Sequence, residues 1–317
     1  MKIENVKRIG MGILSVILLS SLSRAAESSL AMPSTQEGGT ARAMSMGSAV
    51  VGLPQGSASL FWNPAALATL NDMELGLHHN SGLGESTQET VVFGLPMVLL
   101  GGFAASLNYV DNGIFEGRDS IGNPTGNYTA GSLGINLGWG KQWLPRFSAG
   151  AVVKYNQQTL GSQTYSAFAV DLGLLWNPFN HLNLGLTYSN LGTVVAGSLL
   201  DSVWRVGASY DVDKNLLVAV STDLKLGGFN RLQMGAEYYI IPDVAVRAGY
   251  IHNFTEYKLD GLTGLTAGLG VGIVKNMVFD YAFVPYGDLG NSHRLSITYK
   301  FADAVKTEPV QSTTKEK

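Results

Sequence analysis

The 317-residue sequence contains no cysteine and few charged residues. Without cysteine there can be no disulfide and no thiolate metal site, although this absence does not fix the cellular compartment. Charged side chains make up 14% of the residues, against roughly 25% in an ordinary soluble domain. The formal net charge of -3 gives no electrostatic reason to expect nucleic acid as a partner.

Long apolar runs are also missing. After residue 25, no stretch reaches the roughly 18 uninterrupted apolar residues of a transmembrane helix, so membrane helices do not explain the low charge. Glycine is abundant, at 39 residues, without the period of collagen. This composition fits a lipid-facing β-barrel, in which apolar residues occupy alternate positions. Composition alone fits a secreted soluble β protein equally well.

The motifs of common catalytic sites are absent: there is no Gly-x-Ser-x-Gly, no His-Glu-x-x-His, no phosphate loop and no EF-hand pattern. His78 and His79 are adjacent, but neighbouring strand residues point to opposite faces, so the two cannot bind one metal ion. Scattered serines and histidines leave a hydrolase at a barrel rim open as an alternative, without favouring it. We predict that the protein is not an enzyme and needs no cofactor.

The first 25 residues have the organisation of a secretory signal peptide. Lys2, Lys7 and Arg8 precede an apolar stretch, Ile9–Leu22, and small residues follow it. We expect cleavage after Ala25, with cleavage slightly further along as an alternative. A retained membrane anchor is the other possibility, but the apolar stretch is short for a full span. The sequence therefore predicts export from the cytoplasm.

From about residue 72 the chain becomes a series of segments with period-two alternation, the signature of β-strands. In Leu265–Ile273, for example, Leu, Ala, Leu, Val and Ile alternate with one Thr and three Gly. The second face of these segments carries mostly small residues and few charges, which suits an enclosed lumen better than the water-facing side of a β-sandwich. Trp and Tyr recur at the ends of the apolar face, as in the aromatic girdles of membrane barrels.

The alternating segments number about 14, an even count. The first lies near Asp72–Asn80 and the last at Ser292–Phe301. Short connections alternate with longer ones, such as Asp111–Gly126 and Asn190–Asp201, as periplasmic turns alternate with extracellular loops in bacterial barrels. The sequence thus predicts an all-β fold: a 14-stranded antiparallel transmembrane β-barrel over residues 72–301, embedded in outer-membrane lipid with both termini in the periplasm.

Residues 26–71, which precede the barrel, look like glycine-rich coil with one short helix. Asn63 can cap that helix, Pro64 suits its first position and Ala65 continues it. Apolar residues such as Trp62 are costly to leave exposed, and a lumen lined with small residues has room for them. We predict an N-terminal plug inside the barrel, with a flexible periplasmic tail as the alternative.

Strand register predicts two charge pairs inside the barrel. Counting five residues in each direction from Pro242, at the centre of a turn, gives Glu237 and Arg247, which antiparallel pairing places opposite each other. The same count across an earlier hairpin brings Lys154 close to Asp171. A cation facing lipid near the midplane costs roughly 2–4 kcal/mol, so both cations should face inward. These pairs either hold the barrel wall together or line a path for solutes.

Two motifs near the start of the mature chain and one near its end carry a resemblance to a known family. The first two are ARAMSMGSA at 41–49, with Arg42, Met46 and Gly47, and SASLFWNPAAL at 57–67, with Trp62, Asn63, Pro64 and Ala65. The third is DYAFVPYGDLGNSHR at 280–294. All three resemble signatures of the PorV/PorQ family of outer-membrane proteins, and the likeness extends over roughly residues 38–301.

The resemblance implies a barrel like that of the fatty-acid transporter FadL, with 14 strands and an N-terminal hatch containing an Asn-Pro-Ala turn, here residues 63–65. It implies one of two functions: transport of hydrophobic or small solutes, or a part in type IX-like secretion or surface attachment that binds exported proteins. The modest predicted loops favour transport. By the same resemblance, Phe301 is the terminal aromatic that the barrel-assembly machinery would recognise. The polar residues 302–317 depart from the family pattern, and their composition predicts a disordered periplasmic tail.

Overall fold

A computed structural model describes residues 39–84, 86–195, 198–225, 228–254 and 262–301. The predicted signal peptide, the first part of the predicted plug (26–38) and the predicted tail (302–317) lie outside these ranges.

The described residues form strands of very different length. They are β1 Met73–Ser81, β2 Thr87–Met97, β3 Gly101–Arg118, β4 Pro124–Leu144, β5 Phe147–Leu160, β6 Gln163–Phe179, β7 Leu182–Gly192, β8 Val194–Val195, β9 Ser198–Leu199, β10 Val203–Asp211, β11 Leu216–Lys225, β12 Gly228–Ile241, β13 Val244–Asn253, β14 Leu265–Val274, β15 Met277–Pro285 and β16 Asn291–Phe301. No helix in the described ranges has the length and apolar character needed to cross a bilayer.

Fourteen of these strands close into a single antiparallel barrel, in which β1 pairs with both β2 and β16. The short β8 and β9 form a separate hairpin. Closure leaves no unpaired sheet edge, which is the condition for a sheet to cross a lipid bilayer. The predicted 14-stranded antiparallel barrel is confirmed, and its first and last strands begin within one residue of their predicted positions.

The two faces of the barrel wall differ as the alternation predicts. In β14, Leu265, Leu269 and Ile273 are 48%, 39% and 54% exposed on the outer face, whereas Thr266 on the inner face is 5% exposed. The same alternation of exposed apolar and enclosed small or polar side chains recurs in the other barrel strands. An apolar outer surface on a closed barrel fits contact with lipid acyl chains.

One predicted loop is wrong. The segment Asp111–Gly126 is not a loop but the end of a long hairpin, because β3 and β4 continue to Arg118 and from Pro124. Residues 112–129 extend beyond the strands on either side, since the pairing with β2 ends at Asp111 and the pairing with β5 ends at Ala130. A bulge at Asn112 and Gly113 interrupts the alternation, so the pattern did not reveal these strand residues.

Side-chain contacts across and within its strands are present along this extended hairpin. The rings of Phe115 and Tyr128 stack with centroids 5.4 Å apart, and Arg118 forms an ion pair with Glu116 at 2.8 Å. Six or so residues of strand correspond to roughly 20 Å of projection beyond the neighbouring strands. Other predicted loops also contain short elements: β8 and β9 lie within Asn190–Asp201, and a 3-10 helix, Gly287–Leu289, precedes β16.

The described part of the segment before β1, from residue 39, contains three short helices instead of the one predicted. They are α1 Ala41–Ser45 and the 3-10 helices Gly56–Phe61 and Pro64–Thr69. The predicted helix at Pro64 is present, with Asn63 accepting a hydrogen bond from the Ala65 amide. The other two have no side-chain cap and are too short for intrinsic propensity to reveal, so their stability must come from packing.

Residues 39–71, called the plug below, pack against the inner face of the barrel wall. Wall glycines make this contact possible, because a Cβ on any of them would lie closer than 3.0 Å to an atom of the plug. They are Gly94, Gly102, Gly138, Gly140, Gly150, Gly173, Gly185, Gly207, Gly235, Gly249 and Gly268. These glycines lie on ten of the fourteen barrel strands, so the plug contacts the wall around most of the circumference of the barrel. These glycines account for part of the high glycine content.

We predict that a methyl group at Gly235 destabilises the barrel. Its Cβ would overlap three backbone atoms of Met46, and neither backbone can move without displacing the plug. Overpacking of this kind costs about 1–3 kcal/mol, measurable by thermal or denaturant unfolding of the detergent-solubilised protein. Gly272→Ala is the control, because its Cβ would meet only the Asp243 side chain, at 3.3 Å. Equal stability of the two variants would show that the plug does not rest on the wall at Gly235.

Candidate functional site: the plug and the lumen charges

An arginine of the plug is clamped by a carboxylate of the barrel wall. Arg42, on α1, donates from Nε and Nη2 to the two carboxylate oxygens of Glu237 at 2.9 Å and 2.7 Å. This two-pronged geometry is the strongest form of arginine–carboxylate contact. Glu237 lies on β12 and is only 1% exposed, whereas the Arg42 side chain is 27% exposed, so the carboxylate is enclosed and the guanidinium is partly buried. The contact joins residues 195 positions apart and ties the plug to the wall.

The same carboxylate also holds its predicted partner on β13. Glu237 stands opposite Arg247 in the register, and Arg247 Nε donates to Glu237 Oε2 at 2.5 Å. Arg247 Nη1 also donates to Asp280 Oδ1 at 2.7 Å. Arg42, Glu237, Arg247 and Asp280 therefore form a chain of alternating charges, called the charge chain below. Two cations and two anions cancel, which reduces the cost of enclosing them.

Lys154 and Asp171 also face the lumen and are in contact. Their ion pair measures 2.6 Å, and both side chains are less than 10% exposed. Asp171 Oδ1 also accepts the backbone amide of Asn190, which has a left-handed φ of 61°. Here the pairing of β6 with β7 shifts between Val170 and Leu172. This pair lies at a wall irregularity, a position that favours the structural reading over a solute path.

Asn63 is the best-connected residue of the predicted plug motif. Its Nδ2 donates to the carbonyl oxygens of Val51 at 2.8 Å and of Leu174 at 3.0 Å, so it joins two plug segments to β6. Its Oδ1 meanwhile caps the helix that begins at Pro64. Ala65 is fully buried against the wall. The Asn-Pro-Ala turn is thus a fixed point of the plug.

Met46, Gly47 and Trp62 occupy enclosed positions. Met46 is fully buried, and Gly47 follows α1 with φ of 61°, where a side chain would overlap the backbones of Met234 and Tyr250. Only glycine satisfies both the backbone angle and the space at this point. Trp62 is 8% exposed and belongs to the apolar cluster around α1.

Three functional contacts were not found from the sequence: Arg42 with Glu237, Arg247 with Asp280, and a second plug anchor at Glu74. Glu74, on β1, accepts the Ser57 backbone amide at 2.7 Å and lies 3.5 Å from Lys300. Hairpin register reveals only partners on adjacent strands of one turn. The contacts of Arg42 and of Glu74 with Ser57 depend on where the plug lies, and the contact of Arg247 with Asp280 reaches across β14. An acidic residue on the small-residue face of a predicted strand is the signal that could have identified Glu74 and Asp280.

Two remaining sequence-predicted features lie at the barrel wall. His78 points into the lumen and bonds Ser296, while His79 is exposed beside Glu89, so the two histidines do face opposite sides. Phe301 ends β16 opposite Met73 and meets Tyr299 edge to face with centroids 4.8 Å apart. Recognition of Phe301 during barrel insertion stays a prediction.

Solved structures with a similar fold include two bacterial toluene transporters and a FadL homologue. The Pseudomonas putida toluene transporter TodX superposes with a TM-score of 0.62 at 14% identity, over 84% of this chain and 99% of that one. The Ralstonia pickettii toluene transporter TbuX gives 0.59 at 15%, with the same coverage. A Pseudomonas aeruginosa FadL homologue gives 0.56 at 13%, over 83% and 98%. The chain has the fold of these barrels. No family model and no curated protein matches the sequence.

We predict that Glu237→Gln lowers the stability of the folded barrel, because it leaves Arg42 and Arg247 enclosed beside a neutral amide. Breaking an enclosed ion pair from one side costs about 3–5 kcal/mol. Arg247 keeps Asp280, so adding Arg42→Gln should recover more stability than adding Arg247→Gln. The measurement is a pair of double-mutant cycles by denaturant unfolding.

Glu116→Gln provides the matched control for this prediction. It breaks an exposed ion pair with Arg118, which should matter by no more than about 1 kcal/mol. If Glu237→Gln costs no more than this control, the charge chain does not stabilise the plug. If Arg42→Gln recovers nothing in the Glu237→Gln background, the two residues are not coupled.

Proposed function

We propose that the protein is an outer-membrane channel of the FadL type that lets small, mainly hydrophobic solutes cross the membrane. Two of the fold neighbours are named toluene transporters, and another is a FadL homologue. The apolar outer surface of the closed barrel supports a location in lipid, and the predicted signal peptide supports export.

The observation that carries the proposal is the way in which the plug occupies the lumen. It is not a strand of the wall but a separate segment, held by polar anchors at Glu237 and Glu74 and by close packing on wall glycines. Such a segment can rearrange without breaking the barrel ladder, so that solutes pass when its contacts open. A wall that is complete without the plug is what a gated channel requires.

A disulfide between plug and wall tests this proposal. Ser57 Cβ lies 2.7 Å from the position that a Cβ on Gly94 would take, so Ser57→Cys with Gly94→Cys can bond after a shift of about 1 Å. The natural chain has no cysteine, so no competing bond can form. We predict that toluene entry into proteoliposomes, followed by a trapped solvatochromic dye, falls several-fold in the oxidised double variant and returns after reduction.

Each single cysteine variant is a control, because it carries the same local change without the cross-link. Protein-free liposomes give the background permeation of toluene. Equal toluene entry with natural protein and without protein would contradict the channel proposal. Equal toluene entry in the oxidised and the reduced double variant would instead show that passage of the solute does not depend on movement of the plug.

The extended hairpin, residues 112–129, favours a second candidate: docking of exported proteins at the cell surface, as the PorV/PorQ resemblance implies. It lies at the barrel end opposite Met73 and Phe301 and presents Ile114 and Ile121, which are 65% and 81% exposed. Ordered apolar side chains on a projecting ribbon suit contact with another protein. The sequence had indicated only modest loops, and the structure removes that objection.

Replacing residues 112–129 with a tight turn separates the two candidates. The hairpin strands pair with each other there, and the base of the hairpin is bonded to the barrel at Asn112 by Ser86 and at Thr129 by Gly161. The pairing of β3 with β2 and of β4 with β5 does not include residues 112–129, so the barrel should fold as before. For a solute channel, we predict unchanged toluene entry and an unchanged set of surface-exposed proteins in the producing cell. If exported proteins instead accumulate in the periplasm while toluene entry is unaffected, docking is the better description. Surface-protein labelling followed by mass spectrometry measures this outcome.

A further inference from the structure

Four polar side chains form a row across the lumen-facing side of the barrel wall. Antiparallel pairing places His78 opposite Thr90, Thr90 opposite Asn108, Asn108 opposite Gly134, and Gly134 opposite Asn156. The row therefore crosses β1 to β5 without interruption. Neighbouring strands are about 4.8 Å apart, so it spans roughly 19 Å, the scale of a small solute and its contacts.

Each of the four side chains has a buried polar atom without a hydrogen-bond partner within the part of the chain that the structure describes. The atoms are His78 Nε2, Thr90 Oγ1, Asn108 Oδ1 and Asn156 Nδ2. Buried polar atoms in proteins are nearly always satisfied by protein, water or ligand. A continuous row of unsatisfied atoms therefore indicates that something else binds here.

Neighbouring rows on the same strands do not share this property. Two residues along the strands, on one side, Asn136 donates to Ser106 at 2.9 Å. On the other side, Asn80 donates to Gln88 at 3.3 Å. On strands β1 to β5 the wall thus pairs the amides of the two neighbouring rows, whereas the row itself keeps four buried atoms without a partner.

Gly134 lies at the centre of the row, beneath the side chains of its two neighbours. A Cβ at this position would lie 2.9 Å from Asn156 Oδ1 and 3.6 Å from Asn108 Nδ2, so the two carboxamides meet above the glycine. They do not bond to each other, and one keeps a free donor while the other keeps a free acceptor. A side chain at position 134 would overlap the Asn156 carboxamide and displace it from this arrangement.

The chemistry of the row fits an uncharged ligand with several hydroxyl groups. The Asn156 amide donates, the Asn108 carbonyl accepts, and the Thr90 hydroxyl can do both. His78 adds its Nε2 atom as a further hydrogen-bonding group, since its Nδ1 is already bonded to Ser296 Oγ at 2.7 Å. The row itself carries no carboxylate and no ammonium group. A hydroxyl donates and accepts at once, so adjacent hydroxyls match this set, whereas an anion or a cation would find no counter-charge on it.

We propose that this row is a binding site for neutral polyhydroxylated solutes, such as a monosaccharide, inside the barrel. The proposal rests on the proposed channel function and widens its range from hydrophobic molecules to small polar ones. A solute on the row would lie on the inner wall beside the plug, since Gly39 at the start of the plug approaches Thr90 and Gln88.

Thermal unfolding of the refolded mature barrel in detergent tests the site, with glucose as the probe. The natural protein should show a saturable rise in melting temperature with glucose concentration, as binding to the folded state requires. Sugars also stabilise proteins by exclusion from their surface, an effect that rises without saturation and is common to all variants. The combined variant Asn108→Leu with Asn156→Leu should lose the saturable part.

The apo stability of these variants provides a second readout. Asn108→Leu and Asn156→Leu remove atoms that have no partner, so the barrel without glucose should be as stable as the natural one or more so. Asn136→Leu is the matched control, because it breaks the bond to Ser106, should lower the melting temperature and should keep the saturable glucose response. If the combined variant still responds to glucose, or natural protein shows no saturable response, the proposal is wrong.

Failure of this proposal can be distinguished from failure of the channel function. Toluene entry into proteoliposomes does not require the row, so the combined variant should keep it. A natural protein that passes toluene but shows no glucose response would remove the row as a site and leave the channel intact. A saturable glucose response without entry of any solute would retain the site and overturn the channel.

Discussion

Direct contact between the backbone of the plug and the backbone of the wall is the constraint on which the rest of this structure depends. A barrel of fourteen strands leaves a lumen that side chains alone do not fill, and here a folded segment occupies it. Contact at backbone distance requires positions without a Cβ, as at Gly235 against Met46 and Gly249 against Gly47. The wall residues, the path of the plug and the placement of its anchors all follow from that fit.

Close packing fixes where the plug lies, and enclosed charge fixes how it is oriented. Arg42 can meet both oxygens of Glu237 only when α1 lies in one rotation against β12. The remaining members of the charge chain, Arg247 and Asp280, complete the neutralisation, so that no net charge is left in the lumen at this point. The ion pairs of such an enclosed chain contribute less to stability by their own net energy than by the consequence of breaking one of them. A broken pair leaves an enclosed charge without a partner, and every such arrangement is costly.

The lumen and the outer surface of the barrel differ in polarity. The lumen is more polar than the names of the fold neighbours, which include toluene transporters, would suggest. Apolar side chains inside are largely used in packing the plug, as with Leu60 and Leu67 against Val152. Elsewhere the inner wall is rich in amides and hydroxyls, including the row from His78 to Asn156. A similar fold therefore does not by itself determine which solutes this barrel accepts.

Period-two alternation by itself determined the strand number, the register of hairpins and the inward direction of Arg247 and Lys154, because each depends only on local spacing and on the cost of charge in lipid. The capped helix at Pro64 was also readable, since Asn63 and Pro64 act locally. Tertiary structure alone decided the partner of Arg42 and the anchor at Glu74. These contacts join residues that no periodicity relates, and they exist only once the sheet has closed around its own N-terminal segment.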